Sequence, residues 1–256
     1  MKRLTIGIVA AVAMLLAAGT ALAAIDTYSG GYSFRGHPGS KAHPAPLSFT
    51  QHFKLTAAQP NSLTGIVSKV TTEISGVRVD ATGFPTCSAT HVNNWKKASY
   101  ASVCNKRALV ASGWITAQLG TATNFTPQGL NCDPVLYVWN AGHRKLTFFF
   151  ETTKTHQCLG GQITTGQTPA FTGTYRQKGS NLLVTIPVPR AVTHIGPYLA
   201  SVSSEHLVWR STMAKGHHDI LSTGCHGKRH YSYTFSASAP NQPNETKTIR
   251  GAARCG

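Results

Sequence analysis

Residues 131–151 read NCDPVLYVWNAGHRKLTFFFE, and the class of fold turns on this stretch. Two apolar runs, Val135 to Trp139 and Leu146 to Phe150, flank Asn140-Ala-Gly-His143, which the Asn and Gly mark as a four-residue turn. β-Branched and aromatic side chains fit a pleated surface, so the pair is predicted to form a β-hairpin.

The same signature recurs on both sides. Upstream, Leu47, Phe49, Phe53 and Leu55 alternate with Ser48, Thr50, His52 and Lys54, the period of a strand with one wet face. Ile66, Val70 and Ile74, and then Val77 and Val79 after Gly76, are strand-like. Ala108 to Leu119 is another strand, in which Gly113 marks a bulge or a close backbone approach. Gly30-Gly31 reads as a breaker before a short strand, Tyr32 to Arg35, and residues 88–97 lose alternation and read as a short helical turn or irregular loop. Downstream, Phe171 to Arg176 and Leu182 to Ile186 frame a second hairpin. Leu199 to Trp209 is a less regular strand; Arg229, Tyr231, Tyr233 and Phe235 share one face of the next, and Thr246 to Gly251 forms the last. Many short strands without alternating helices predict an all-β fold, an antiparallel β-sandwich or Greek-key barrel. One domain over residues 24–256 is expected, with any subdomain split near 187–197.

Lys2-Arg3, the apolar run Leu4 to Ala18 and the small residues Ala21 and Ala23 read as a secretory signal peptide spanning residues 1–23. A cleaved leader predicts a secreted protein, extracellular or associated with the cell envelope. No later segment is long and apolar enough to be read as a transmembrane helix. Export places Cys87, Cys104, Cys132, Cys158, Cys225 and Cys255 in an oxidising compartment, and with no CxxC pair among them they read as disulfides rather than a zinc site. Sequential pairing is expected, 87 with 104, 132 with 158 and 225 with 255. Each bond would contribute roughly 3–4 kcal/mol by constraining the unfolded chain.

The chain is strongly basic, with 24 Lys and Arg against 8 Asp and Glu and a formal charge of +16, of which Lys2 and Arg3 leave with the leader. Such a field attracts anionic polymers without choosing among them. Its short clusters make Arg144, Lys145, Lys228 and Arg229 the candidate anion-binding residues. Nucleic acid is not the expected partner, because the aromatics interleaved with these bases fit a core as well as a stacking platform.

Few groups suggest catalysis. There is no GxSxG, and the acids worth weighing are Asp133, Glu151, Glu205 and Asp219. No catalytic residue and no cofactor is assigned. Histidines are dense near the carboxy terminus, and His217, His218, His226 and His230 are weak candidates for a metal, since neighbours on a strand point to opposite faces.

Phe84-Pro-Thr-Cys87, Cys104 leading to Lys106-Arg-Ala-Leu-Val-Ala-Ser-Gly113, Val138-Trp-Asn-Ala-Gly142 and the carboxy-terminal cysteine pair together resemble a group of secreted, β-rich proteins of unknown function from high-GC Gram-positive bacteria. The resemblance runs from about Leu47 to Cys255 and implies export, disulfides and an all-β fold, with no catalytic residues to carry over. Where that group tends to have Pro and Gly, this chain has Asn105 and Ala111. The expected function is therefore non-catalytic, with the basic surface docking on an anionic cell-wall polymer or another envelope protein. The alternatives are a secreted hydrolase and, third, histidine-based metal capture.

Overall fold

The computed structural model describes residues 26–96, 99–129, 131–159, 161, 166–240 and 244–256. The predicted leader, residues 1–23, lies outside them. Strands β1 (Thr27–Gly36), β2 (Ala45–Thr56), β3 (Ile66–Ser75) and β4 (Val77–Val79) precede helix α1 (Ala89–Asn93). Strands β5 (Leu109–Gly120), β6 (Asn131–Cys132), β7 (Val135–Gly142), β8 (Lys145–Glu151), β9 (Phe171–Lys178) and β10 (Asn181–Pro187) lead to helix α2 (Arg190–Thr193). Then come β11 (His194–Ile195), β12 (Tyr198–Trp209), β13 (Met213–Ala214), β14 (His217–His218), β15 (Ile220–Ser222), β16 (Lys228–Ser238) and β17 (Glu245–Arg254). The all-β expectation holds.

The main sheet runs β17-β16-β3-β10-β9-β8-β7-β5-β12-β2, with β1 paired to the other side of β2, and every pairing is antiparallel. The sheet curls until its two edges meet, placing β17 alongside β1. With an odd number of strands alternating in direction, the two edge strands run the same way. Among the described residues no backbone ladder joins them. Side chains of β16 cross the gap instead: the Tyr233 hydroxyl donates to Gly31 O at 3.1 Å and the Tyr231 hydroxyl to Gly30 O at 3.4 Å. This corrects the reading of Gly30-Gly31 as a breaker, since β1 passes straight through both. Gly251, opposite Tyr231 on β17, is glycine for a related reason: a Cβ there would lie 2.5 Å from the tyrosine ring.

One core fills the interior. Leu47, Phe49, Phe53 and Leu55 of β2 face inward, as do Phe148 of β8, Val184 of β10, Leu207 of β12, and Tyr233 and Phe235 of β16. Gly113 sits where β5 presses on β12, and a Cβ there would come within 1.9 Å of the His206 carbonyl oxygen, the close approach its position suggested.

The hairpin of residues 131–151 is present, but its turn is tighter than predicted. Gly142 pairs with Lys145, leaving His143 and Arg144 as a two-residue connection with φ of 49° and 60°. Positive φ at both positions is the signature of the turn whose twist matches a hairpin. Its continuous apolar runs have a physical reason, because both faces are covered. Leu136, Val138, Leu146 and Phe148 face the main core, while Trp139 and Phe149 pack outward against Cys87, Val92, Val103 and Ala108. That outer lobe is held by the Cys87–Cys104 disulfide and by the Thr147 hydroxyl donating to Cys87 O at 2.8 Å. The departure at Asn105 is accommodated: its Oδ1 accepts from Arg107 N at 2.9 Å and starts a 3-10 turn, Lys106–Ala108.

Cys132 pairs with Cys158 and Cys225 with Cys255, completing the sequential pattern. Among the described residues no helix is long and apolar enough to cross a membrane. The last disulfide spans 30 residues and ties the end of β17 to the segment before β16, closing the open end of the β16–β17 pair. Replacing Cys225 and Cys255 together with serine is expected to lower the unfolding free energy by about 3–4 kcal/mol in urea titrations. A loss under about 1 kcal/mol would show that the β16–β17 pair holds without it.

Candidate functional site

The tight β7–β8 turn and its neighbour β9 build a basic groove on the outside of the barrel. Thr174 pairs with Lys145, and Tyr175 N donates to Arg144 O at 2.9 Å, so β9 continues past the hairpin tip and adds Arg176. His143, Arg144, Lys145, Thr174, Arg176 and Thr185 line the groove, together with the Tyr175 and Leu183 positions between them. The four basic or imidazole side chains are exposed, and no carboxylate lines the groove. Glu73, opposite Leu183 across the sheet, is occupied: it accepts from Asn181 Nδ2 at 2.7 Å and lies 3.9 Å from Lys178 Nζ. Burial pushes the Tyr175 phenol up while Arg144 pulls it down, so it stays a neutral wall.

The other pair of anion candidates divides. Lys228 is exposed. Arg229 is not an anion-binding residue of the surface, because only 1% of it is exposed. It shares the inward register of Tyr233 and Phe235, its Nη1 donates to Ser75 O at 2.6 Å and its Nη2 to Ser222 Oγ at 2.7 Å, and its guanidinium lies 5.1 Å from the centre of the Phe34 ring. Burial lowers its pKa to about 10, which still leaves it charged at neutral pH.

The candidate metal ligands stand apart. His217 lies 3.9 Å from Asp80 Oδ1 and edge-on to Phe84, while His218 Nδ1 lies 3.1 Å from Ser211 Oγ. His226 and His230 are exposed on the turn into β16 and on β16 itself. Among the described residues no three His, Cys, Asp or Glu side chains converge as a metal site would require.

The four acids are also dispersed. Asp133 lies 3.5 Å from His156 Nδ1 on a half-exposed loop, where its Oδ1 accepts from Gln157 N. Glu151 accepts from Tyr100 N at 3.0 Å and anchors the outer lobe. Asp219 accepts from Thr212 N at 2.6 Å, and burial raises its pKa to about 6. The Ser211 hydroxyl beside His218 donates to Ile220 O, so it is bound into the backbone rather than poised as a nucleophile.

Glu205 differs from the other three. It faces the barrel interior and takes a hydrogen bond from Gln51 Nε2 at 2.6 Å, while the Gln51 carbonyl accepts from Trp209 Nε1 at 2.8 Å. Gln51 occupies the apolar register of β2, a polar intruder legible in the sequence but passed over. Glu205 lines an otherwise apolar interior cavity, and desolvation pushes its pKa up to about 7. A raised acid holds its proton after the unfolded chain has lost it, so its contribution to stability falls as pH rises from 4.5 to about 7. Glu205→Gln removes that dependence. The melting temperature of the variant relative to the parent is therefore expected to climb over this window and level off above it, Asp219 acting alike in both. A difference independent of pH would contradict the interior placement.

No protein-family model, curated protein or solved structure matches this chain.

Proposed function

We propose that this is an exported, non-catalytic binding protein that docks on an anionic polymer of the cell envelope through the groove formed by His143, Arg144, Lys145 and Arg176. One observation carries the reading: these side chains share one exposed groove without a carboxylate among them. Like charges gathered this way repel one another until a counter-charge arrives, and two guanidinium forks beside an ammonium suit phosphate or carboxylate groups repeated along a chain. The positive φ of His143 and Arg144 supports it further, because side chains at a two-residue tip are carried clear of the barrel wall. Three disulfides suit an oxidising compartment, and the resemblance to exported β-rich proteins of high-GC Gram-positive bacteria agrees with it.

Retention on an anionic cell-wall preparation tests the proposal. Binding is expected at low ionic strength and elution as salt rises past ~0.15 M, where the screening length is about 8 Å. The triple variant Arg144→Ala, Lys145→Ala, Arg176→Ala should elute at clearly lower salt, while Lys228→Ala, an exposed base outside the groove, should elute with the parent. Elution of the triple variant with the parent would overturn the assignment of the groove.

A further inference from the structure

The interior of the barrel carries a second site, unrelated to the outer groove. Strand β12 faces Ala200 and Val202 inward, then slips by one residue against β5 between Val202 and Ser204, and thereafter faces Glu205, Leu207 and Trp209 inward. A bulge of this kind re-aims side chains. Without it the carboxylate would point to solvent and a neighbour would fill the core.

Glu205 lines a cavity walled by Phe53, Leu136, Phe148, Phe171 and Val202, with Thr193 of the short helix α2 at the same cavity. The cavity between these walls measures ≈ 90 Å³. No Lys, Arg or His lines it. Gln51 is committed at both ends: its carbonyl accepts from Trp209, which fixes the amide so that its nitrogen donates to Glu205 Oε1. Oε2 accepts no hydrogen bond from the described residues. The other titratable groups that feel this carboxylate are the phenols of Tyr32 and Tyr233, both neutral because burial pushes them well up. The carboxylate thus has one amide and no cation, an arrangement costly for an ion inside a protein.

We infer that this cavity binds a small amphiphile with an apolar body, a short alkyl chain or a single ring, and one protonated amine that pairs with Glu205. The amine supplies the missing cation and donors, and the aromatic walls take the apolar body. A cavity of ≈ 90 Å³ limits the body to one short chain or one small ring. The basic exterior opposes a cationic ligand at long range, but that field is screened within about 8 Å at physiological ionic strength.

Calorimetric titration of the purified protein with n-hexylamine and, separately, 1-hexanol tests this. Saturable hexylamine binding is expected, at least tenfold tighter than hexanol, and tightening as pH rises from 5 to 8 because the carboxylate must ionise while the amine stays protonated. Glu205→Gln should erase the preference for the amine and its pH dependence while leaving hexanol unchanged. Should that variant fail to fold, Val202→Phe, which fills the cavity from another position, should abolish binding of both probes. Absence of hexylamine binding to the parent overturns the inference, as does equal affinity for amine and alcohol, or amine binding that survives Val202→Phe.

Discussion

An antiparallel sheet with an odd number of strands cannot close on itself through an antiparallel ladder, because its first and last strands run the same way. In this protein β1 and β17 meet in that situation, and the closing interactions are made by side chains. The hydroxyls of Tyr231 and Tyr233 reach from β16 across the gap to the carbonyl groups of Gly30 and Gly31, and Tyr32 stacks on Tyr233 with ring centres 5.0 Å apart. An exposed strand edge invites pairing with other chains, and bringing the two edges together blunts both. The interior is the consequence of that closure. It gives the strands between the two edges a dry face, and it makes any polar group turned inward answer for its hydrogen bonds.

Three polar groups show how that demand is met. Arg229 is buried with two hydrogen-bond acceptors and an aromatic face but no acid, and its Nε has no partner among the described residues. Asp219 lies inside but uses backbone N–H donors. Glu205 has only the Gln51 amide, and its pKa rises accordingly. Outside, the charge balance reverses. Bases dominate the surface, and at the β7–β8 tip they collect without a carboxylate beside them. The protein thus offers two opposite electrostatic environments, a basic exterior groove that suits anions and an acid-bearing interior that suits a cation with an apolar body.

The sequence made most of the fold legible and the sites less so. Alternation in β2 and β16 predicted strands, and the unbroken apolar runs of β7 and β8 predicted the hairpin. That both its faces are covered required knowing that residues 87–95 and 100–108 fold back over it. The register that buries Phe235 also buries Arg229, which a strict reading of parity on β16 would have assigned inward. Glu205 resisted reading because the bulge at Ser203 breaks the alternation of β12, so parity counted from the inward Ala200 and Val202 puts the carboxylate on the wrong face. Arg176 is 31 residues from Lys145 and joins it only through the pairing of β8 with β9, a non-local register that spacing alone does not reveal.

The account stands or falls on whether the bases that act together are those gathered at the hairpin tip. Backbone amide shifts recorded by NMR during titration with a short anionic oligomer, such as a polyphosphate, locate them directly. The predicted result is a set of concentration-dependent shifts centred on His143 to Lys145 and Thr174 to Arg176. Shifts spread evenly over exposed Lys and Arg, or centred on Lys228 and the carboxy-terminal strand, would contradict it.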